Sequence, residues 1–214
     1  LTRLVRVLTL TVSSLVLALS ILVWIQFEPR GVQWQFFEEL SWLPGYVVGV
    51  DGLGALTVLI ATIFTWTAIV GFPDSSDRAR THYIATLVLE AGVVGAIASL
   101  TVVLFACGWI VAMLAAWRLL RVSSDDGAPH AATRFGRYAS VATATLVAGI
   151  AMLAFGTGVR TFDIRTFQQL ALPPAMQNVV FGFFVVAFAM ASGVFPFHAA
   201  RRAVIVETPF AVWI

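Results

Sequence analysis

Four ionisable side chains and one helix break mark where this sequence could do chemistry. Glu90 lies in the middle of LVLEAGVVGAIASL, an apolar run where an ionised carboxylate is costly unless it is paired or protonated. It is a candidate for proton transfer, or else a protonated, hydrogen-bonded helix contact. Asp51 stands near the start of another apolar run, where the helix dipole favours a carboxylate, so capping competes with proton transfer there. His198 and Glu207 follow Gly193 and Pro196 in the stretch VVFGFFVVAFAMASGVFPFHAARRAVIVETP, Val179 to Pro209. Pro196 removes a backbone donor and clashes with the preceding turn, and Gly193 loosens that turn. Broken helices with ionisable groups at membrane depth are typical of ion and substrate paths, and a histidine shuttles protons near neutral pH. The simpler alternative is that Pro196 ends a spanning helix, with His198 a structural hydrogen-bond partner and Arg201 and Arg202 the basic flank. The sequence contains no phosphate loop, no His/Cys metal spacing and no nucleophile elbow.

The elements that must position these groups follow from composition. With 60% hydrophobic residues, 11% charged and a mean hydropathy of +0.93, the chain carries more apolar surface than a soluble domain of 214 residues could bury. It is expected to be an all-α polytopic membrane protein with about six transmembrane helices, the last one discontinuous. All 13 basic residues are arginine; they fall at span ends and form no patch, so nothing points to nucleic acid, and the lipid bilayer is the expected surrounding. Cys107 stands alone in an apolar run, so neither a disulfide framework nor a thiolate metal site is expected.

Taken in order, the first span is 4–25, flanked by Arg3 and Arg6; its apolar region is too long for a secretory leader and no small-x-small cleavage site follows. Residues 27–46 mix Trp34, Phe36, Phe37, Trp42 and Tyr46 with Glu38 and Glu39, as an interfacial segment on the periplasmic side would. Spans at 47–70, 83–100 and 102–120 come next, the last two separated by a very tight turn near Leu100 and Thr101. The polar stretch 121–137 reads as a cytoplasmic loop, 138–155 as the fifth span, and 179–198 as the broken sixth, with 203–214 starting a continuation. A start at Leu1 and a stop at Ile214 inside an apolar run suggest a piece of a longer protein. If Leu1 is cytoplasmic, ten arginines (3, 6, 78, 80, 118, 121, 134, 137, 201 and 202) are cytoplasmic and three (30, 160 and 165) are not, a clear positive-inside bias.

WLPGYVVGVDGLGALTVLI at Trp42 to Ile60, LVLEAGVVGAIASL at Leu87 to Leu100, GTGVRTFDI at Gly156 to Ile164, and FPFH followed by VETP at Phe195 to Pro209 resemble the antiporter-like M chain of proton-pumping NADH:quinone oxidoreductase, respiratory complex I. The likeness covers nearly the whole chain in order. It implies the second to seventh of about fourteen helices, part of an antiporter-like inverted-repeat fold, with the break at Pro196 in the discontinuous helix of the first repeat. Cation/proton antiporters and membrane inorganic-carbon uptake complexes share that fold.

The same resemblance shows what has changed. The family's Phe-Trp-Glu motif stands here as Gly108, Trp109 and Ile110, and the lysine that pairs with its glutamate is replaced by Ala191. A usual aspartate is Thr101, a frequent lysine is Arg134, and after PFH the chain reads Ala200, Arg201, Arg202, Ala203. Alanine and isoleucine hold no proton, and arginine is effectively always charged. The resemblance therefore implies a subunit of a bacterial inner-membrane complex of multiple membrane chains, nominally proton-translocating but with its usual coupling pair replaced and so read as a structural or non-pumping paralogue, with Glu90, His198, Glu207 and Asp51 as surviving proton-path candidates. It places redox cofactors in other subunits and none in this chain. The alternatives are a component of an antiporter or carbon-uptake complex, and a scaffold recruited to another membrane complex.

Overall fold

Long runs of Leu, Val, Ile and Ala free of interior proline fold as helices, because in a bilayer only internal hydrogen bonding satisfies the backbone. A computed structural model of the chain describes residues 2–40, 42–43, 45–72, 78–123, 129–158, 162–194 and 197. It contains helices α1 (Thr2–Gln26), α2 (Gly52–Gly71), α3 (Ala79–Ile97), α4 (Val102–Ser123), α5 (Pro129–Gly156), the short α6 (Ile164–Gln169) and α7 (Pro174–Ser192), and strands β1 (Gln35–Glu39) and β2 (Val47–Val50). Helices α1, α2, α4, α5 and α7 are long and apolar enough to cross a membrane. The chain is a multi-pass membrane protein. The remaining expected span, 83–100, is α3, a 19-residue helix that carries Arg80, His82 and Glu90 and packs against α1, α2 and α4.

Several boundaries differ from the sequence expectation. Within residues 27–46 lies β1, a strand the sequence did not reveal, which pairs antiparallel with β2 through Glu38 opposite Val48 and Glu39 opposite Val47. The register breaks between Gln35 and Glu38, where Phe36 adopts a φ of 53°. Val47–Val50 is therefore strand, not the start of the second span, because β-branched residues suit an extended backbone and Asp51 begins the helix after them. The expected loop 121–137 is mostly helical: α4 runs to Ser123 and α5 starts at Pro129. Pro129 at the first turn and the helix formers after it extend α5 to 28 residues, about 42 Å, longer than the roughly 30 Å hydrocarbon core. At the other end of the chain α7 stops at Ser192, not 198. Gly193, with φ 63°, turns left-handed and its N–H closes on the Ala189 and Met190 carbonyls. Pro196, His198, Arg201, Arg202, Glu207 and the continuation 203–214 lie outside the described residues.

Two glycines set the closest helix contact. A Cβ on Gly92 of α3 would lie 2.5 Å from the Ala112 backbone nitrogen, and one on Gly108 of α4 would lie 2.6 Å from that of Ala96. The two Gly-xxx-Ala faces, Gly92/Ala96 and Gly108/Ala112, thus meet backbone to backbone, as membrane helices do where small residues permit. The turn joining the pair, Ala98–Thr101, is held by strand-like bonds: the Gly49 N–H donates to the Ala98 carbonyl and the Leu100 N–H to the Val47 carbonyl, both at 2.9 Å. On its other edge the Val102 N–H donates to the Phe162 carbonyl and the Ile164 N–H to the Leu100 carbonyl, also at 2.9 Å. One end of the bundle is therefore tied by β1, β2, this turn and the 162–164 segment; the opposite end carries Arg6, Arg78, Arg118, Arg121 and Arg137. Near the tied end α7 packs on α5, with Phe183 and Phe184 against Gly149 and Met176 against Gly156.

Substituting Gly108→Leu should force α3 and α4 apart and lower stability by about 1–3 kcal/mol, the usual range for overpacking. Gly95→Ala, where a Cβ meets nothing within 4 Å, should be neutral or slightly stabilising. Thermal unfolding of the two variants in the same detergent checks the contrast.

Candidate functional site

Helix α1 is apolar towards its surroundings and polar towards the protein. Among its described side chains only Thr9, Ser13 and Ser20 are buried, and all three carry hydroxyls. The spacings of four and seven residues put them on one face. Thr9 Oγ1 donates to the Val5 carbonyl at 2.7 Å, and Ser20 Oγ meets Thr62 Oγ1 of α2 at 2.8 Å. Trp66 Nε1 of α2 donates to Ser14 Oγ at 3.0 Å.

Helix α3 answers with His82, Thr86 and Glu90, four residues apart and 2%, 4% and 4% exposed. Tyr83, on the same side, packs with Ile69 of α2 and with Ala79, and Val5 and Leu10 of α1 close on that cluster. Glu90 is seven residues after Tyr83 and so repeats its direction, whereas Gly92, which meets α4, points about 200° away. Glu90 therefore faces α1 and α2, away from α4. The His82 ring stacks on Phe72 with centroids 3.8 Å apart, and Tyr83 OH donates to the Phe72 carbonyl at 3.2 Å. Thr86 Oγ1 donates to the His82 carbonyl. Ser13 Oγ, both His82 ring nitrogens and Glu90 Oε1 have no hydrogen-bond partner among the described residues. Left dry, each such atom would cost about 1–3 kcal/mol.

The other candidates fall elsewhere. Asp51 caps α2, its Oδ1 accepting the Gly54 N–H at 2.7 Å. Thr101 is buried in the α3–α4 turn; its Oγ1 donates to the Gly45 carbonyl at 2.8 Å and accepts from the Leu104 N–H. Ile110 on α4 is 37% exposed and lines an apolar groove of about 1570 Å³ between α4 and α5, with Leu114, Trp117, Arg121 and Arg137. Ile110 and Ala191 lie one and three residues from the contact of Trp109 with Phe188, whose rings are 5.5 Å apart. The Trp109 N–H donates to Thr143 Oγ1 at 3.1 Å. The structure thus brings Ile110 and Ala191 towards one contact and leaves Glu90 on the other side of the α3–α4 pair. Among the described residues, no group of three His, Cys, Asp or Glu side chains could hold a metal ion.

His82, Ser13 and the Asp163–Arg165 pair were not singled out from the sequence. His82 sits in ARTHY, which looks like the polar flank of a span, and a serine in an apolar helix gives no signal until its face is known. Asp163 caps α6 and holds Arg165 at 2.6 Å, and the Arg165 guanidinium lies 4.7 Å from the centre of the Phe37 ring on β1. The side-chain hydrogen bond from Arg165 holds the Asp163 carboxyl below the usual carboxylate range, outweighing partial burial.

No protein-family model matches the chain. It is 29% identical over 169 residues to NAD(P)H-quinone oxidoreductase chain 4 2 of Microcystis aeruginosa, an alignment covering 77% of this chain and 31% of that protein. It is 27% identical over 213 residues to F(420)H(2) dehydrogenase subunit M of Methanosarcina mazei, covering 91% and 42%. The chain spans about a third of the length of the first of these curated relatives. Among solved structures it superposes on a chain of the membrane-bound sulfane sulfur reductase, an archaeal respiratory membrane complex, with a TM-score of 0.75 at 18% identity, covering 95% of this chain and 32% of that one.

Because the folded Asp163 pKa lies below its unfolded value, the ion pair contributes stability above that value, and the contribution is lost as pH falls through the folded pKa. Acidification through and below the ordinary aspartate range should therefore loosen the tie between the 162–165 segment and β1. Limited proteolysis near Phe162 should accelerate with acid in the unsubstituted chain, and Asp163→Asn should be cleaved faster already at neutral pH.

Proposed function

We propose that this chain, related in sequence and fold to the antiporter-like M chains of complex I-type oxidoreductases, is a membrane-arm subunit of a redox-driven membrane complex of that type. What carries the reading is the agreement of two likenesses over nearly the same residues: sequence identity along 77–91% of the chain and a shared fold along 95% of it. The chain sits in a bacterial cytoplasmic membrane with residue 1 on the cytoplasmic side, a reading supported by the ten-to-three division of its arginines. Its partners are the other membrane chains of the complex, and the redox groups belong to those partners and not to this chain.

Within such a subunit the usual relay would place a carboxylate at Ile110 and a lysine at Ala191. Here the surroundings are aromatic, with Phe105, Trp109, Phe184 and Phe188 in contact and the Trp109 N–H engaged by Thr143. Among the described residues, the side chains in that contact include none that exchanges a proton near neutral pH, which favours a non-pumping role for the α4–α7 contact.

Mild-detergent purification of the native complex, followed by mass spectrometry of what accompanies the chain, tests the assignment. Iron–sulfur, quinone-site and other antiporter-like chains are expected. A soluble zinc protein or a set of cation-antiporter chains in their place would overturn it. Restoring the pair with Ile110→Glu and Ala191→Lys should reduce membrane insertion, since a charge at the middle of a span, as at Ile110, costs about 2.5–3.5 kcal/mol, and should carry no proton flux in liposomes. Flux through that double variant would sink the non-pumping reading.

A further inference from the structure

The interface between α1 and α3 holds more polar atoms than a dry helix contact could satisfy. Ser13 is fully buried and His82 and Glu90 nearly so, and four of their polar atoms lack a partner among the described residues. They come from two helices that pack together, and the face of α1 that carries Ser13 also meets α2 at Ser20 and Thr62. On α3, His82, Thr86 and Glu90 rise about 12 Å along one face. α1 and α3 run in the same direction from the arginine-bearing end, and Val5 and Leu10 pack at the level of Tyr83. Ser13, three residues beyond Leu10, therefore lies about 4–5 Å further along, at the depth of Thr86 and one turn short of Glu90. Thr9 and Thr86 add hydroxyls whose protons are committed to their own helices but whose oxygens still accept.

We propose that the α1–α3 interface is a hydrated seam through which Glu90 exchanges protons with water at the arginine-bearing end, with His82 at its entry and Ser13 as a relay. Orphaned polar atoms in protein interiors are met by ordered water, and a site with several polar partners is where water binds. A proton from the aqueous side binds one ring nitrogen of His82 and leaves from the other, so the imidazole returns to its starting charge. It passes along water and the Ser13 hydroxyl, which accepts one proton as it gives up another, and ends on the Glu90 carboxylate. The reverse sequence unloads it. Other ionisable groups facing the seam are Arg6 of α1, whose guanidinium donates to the Val70 carbonyl at 3.4 Å, and Tyr83, bonded to Phe72; α2 contributes none. Phe72 stacked on His82 at 3.8 Å fixes the ring at the entry.

This route is separate from the α4–α7 contact and needs no particular assembly, so its failure would leave the subunit assignment untouched. Silver ions, close to water in size, test it on the full chain in native membrane vesicles. In a Cys107→Ser background, Ser13→Cys and His82→Cys are exposed to silver on the arginine side, then denatured and treated with maleimide. A thiol in contact with water ionises and reacts, whereas one in apolar surroundings does not. Loss of maleimide labelling is expected for both, with full labelling of Val88→Cys, which is 42% exposed on the lipid-facing side of the same helix. Protection absent at Ser13→Cys, or equal at Val88→Cys, would overturn the seam. The unsubstituted chain gives a check that requires no cysteine. Its Glu90 carboxyl band, identified by its loss in Glu90→Gln, should shift in infrared spectra on transfer from ordinary to heavy water and shift more slowly in Ser13→Val. An unshifted band, or equal rates, would also overturn it.

Discussion

The approach of α3 to α4 at Gly92 and Gly108 is the contact on which the other placements depend. In lipid the two helices gain little from hiding apolar surface, so their association rests on van der Waals contact between surfaces that fit. Any side chain at either glycine would collide with the opposite backbone. Held at that distance, the helices can be joined by a turn of four residues, and the turn's free backbone groups become the middle rung between β2 and the 162–164 segment. A wider helix pair would displace Ser99 and Thr101 and unpair both edges together. The same contact turns the opposite side of α3, with His82, Thr86 and Glu90, towards α1 and α2.

That second interface inverts the pattern of a soluble protein. The apolar residues of α1 face outward and its buried positions are Thr9, Ser13 and Ser20. Hydroxyls can pair within the helix or across it, as the Ser20–Thr62 contact does, and such bonds contribute modestly to association in membranes, about 0.6 kcal/mol on average. They do not offset the cost of burying a carboxyl and an imidazole with unmet polar atoms. The interface is thus poorly explained as packing alone, and a hydrated interior removes the discrepancy.

Hydropathy made the fold class legible, since α1, α2, α4, α5 and α7 each stand out as apolar runs. The turn at Leu100 was legible because the arginine asymmetry requires two crossings between Tyr83 and Leu120. The β1–β2 pair was not, because Val47–Val50 runs directly into the apolar residues of α2 and only the geometry of Asp51 separates strand from helix. The start of α5 was missed because its first turns are polar, and polarity beyond the bilayer does not distinguish a loop from a helix that continues into water. Of the candidate residues, Glu90 was legible as a lone carboxylate in an apolar run. His82 and Ser13 became visible only once the rotation of α1 and α3 was known.

The two places where this chain could move charge differ in what they hold. Around Ile110 and Ala191 the contact is built of aromatic rings, and its one indole N–H is already bonded to a threonine. Among the described residues in that contact, Phe105, Trp109, Phe184 and Phe188, none can take up and release a proton near neutral pH. Around Glu90 the polar side chains of α3 recur about every 6 Å, short enough for a single water to bridge each step. Polar side chains at membrane depth destabilise a bundle unless solvated or paired, and this chain concentrates three of them on one side of α3, while Gly92 and Ala96 make the closest approach to α4 on the other. The division of α3 into a packing face and a polar face is the physical reason to look for proton movement between α1 and α3.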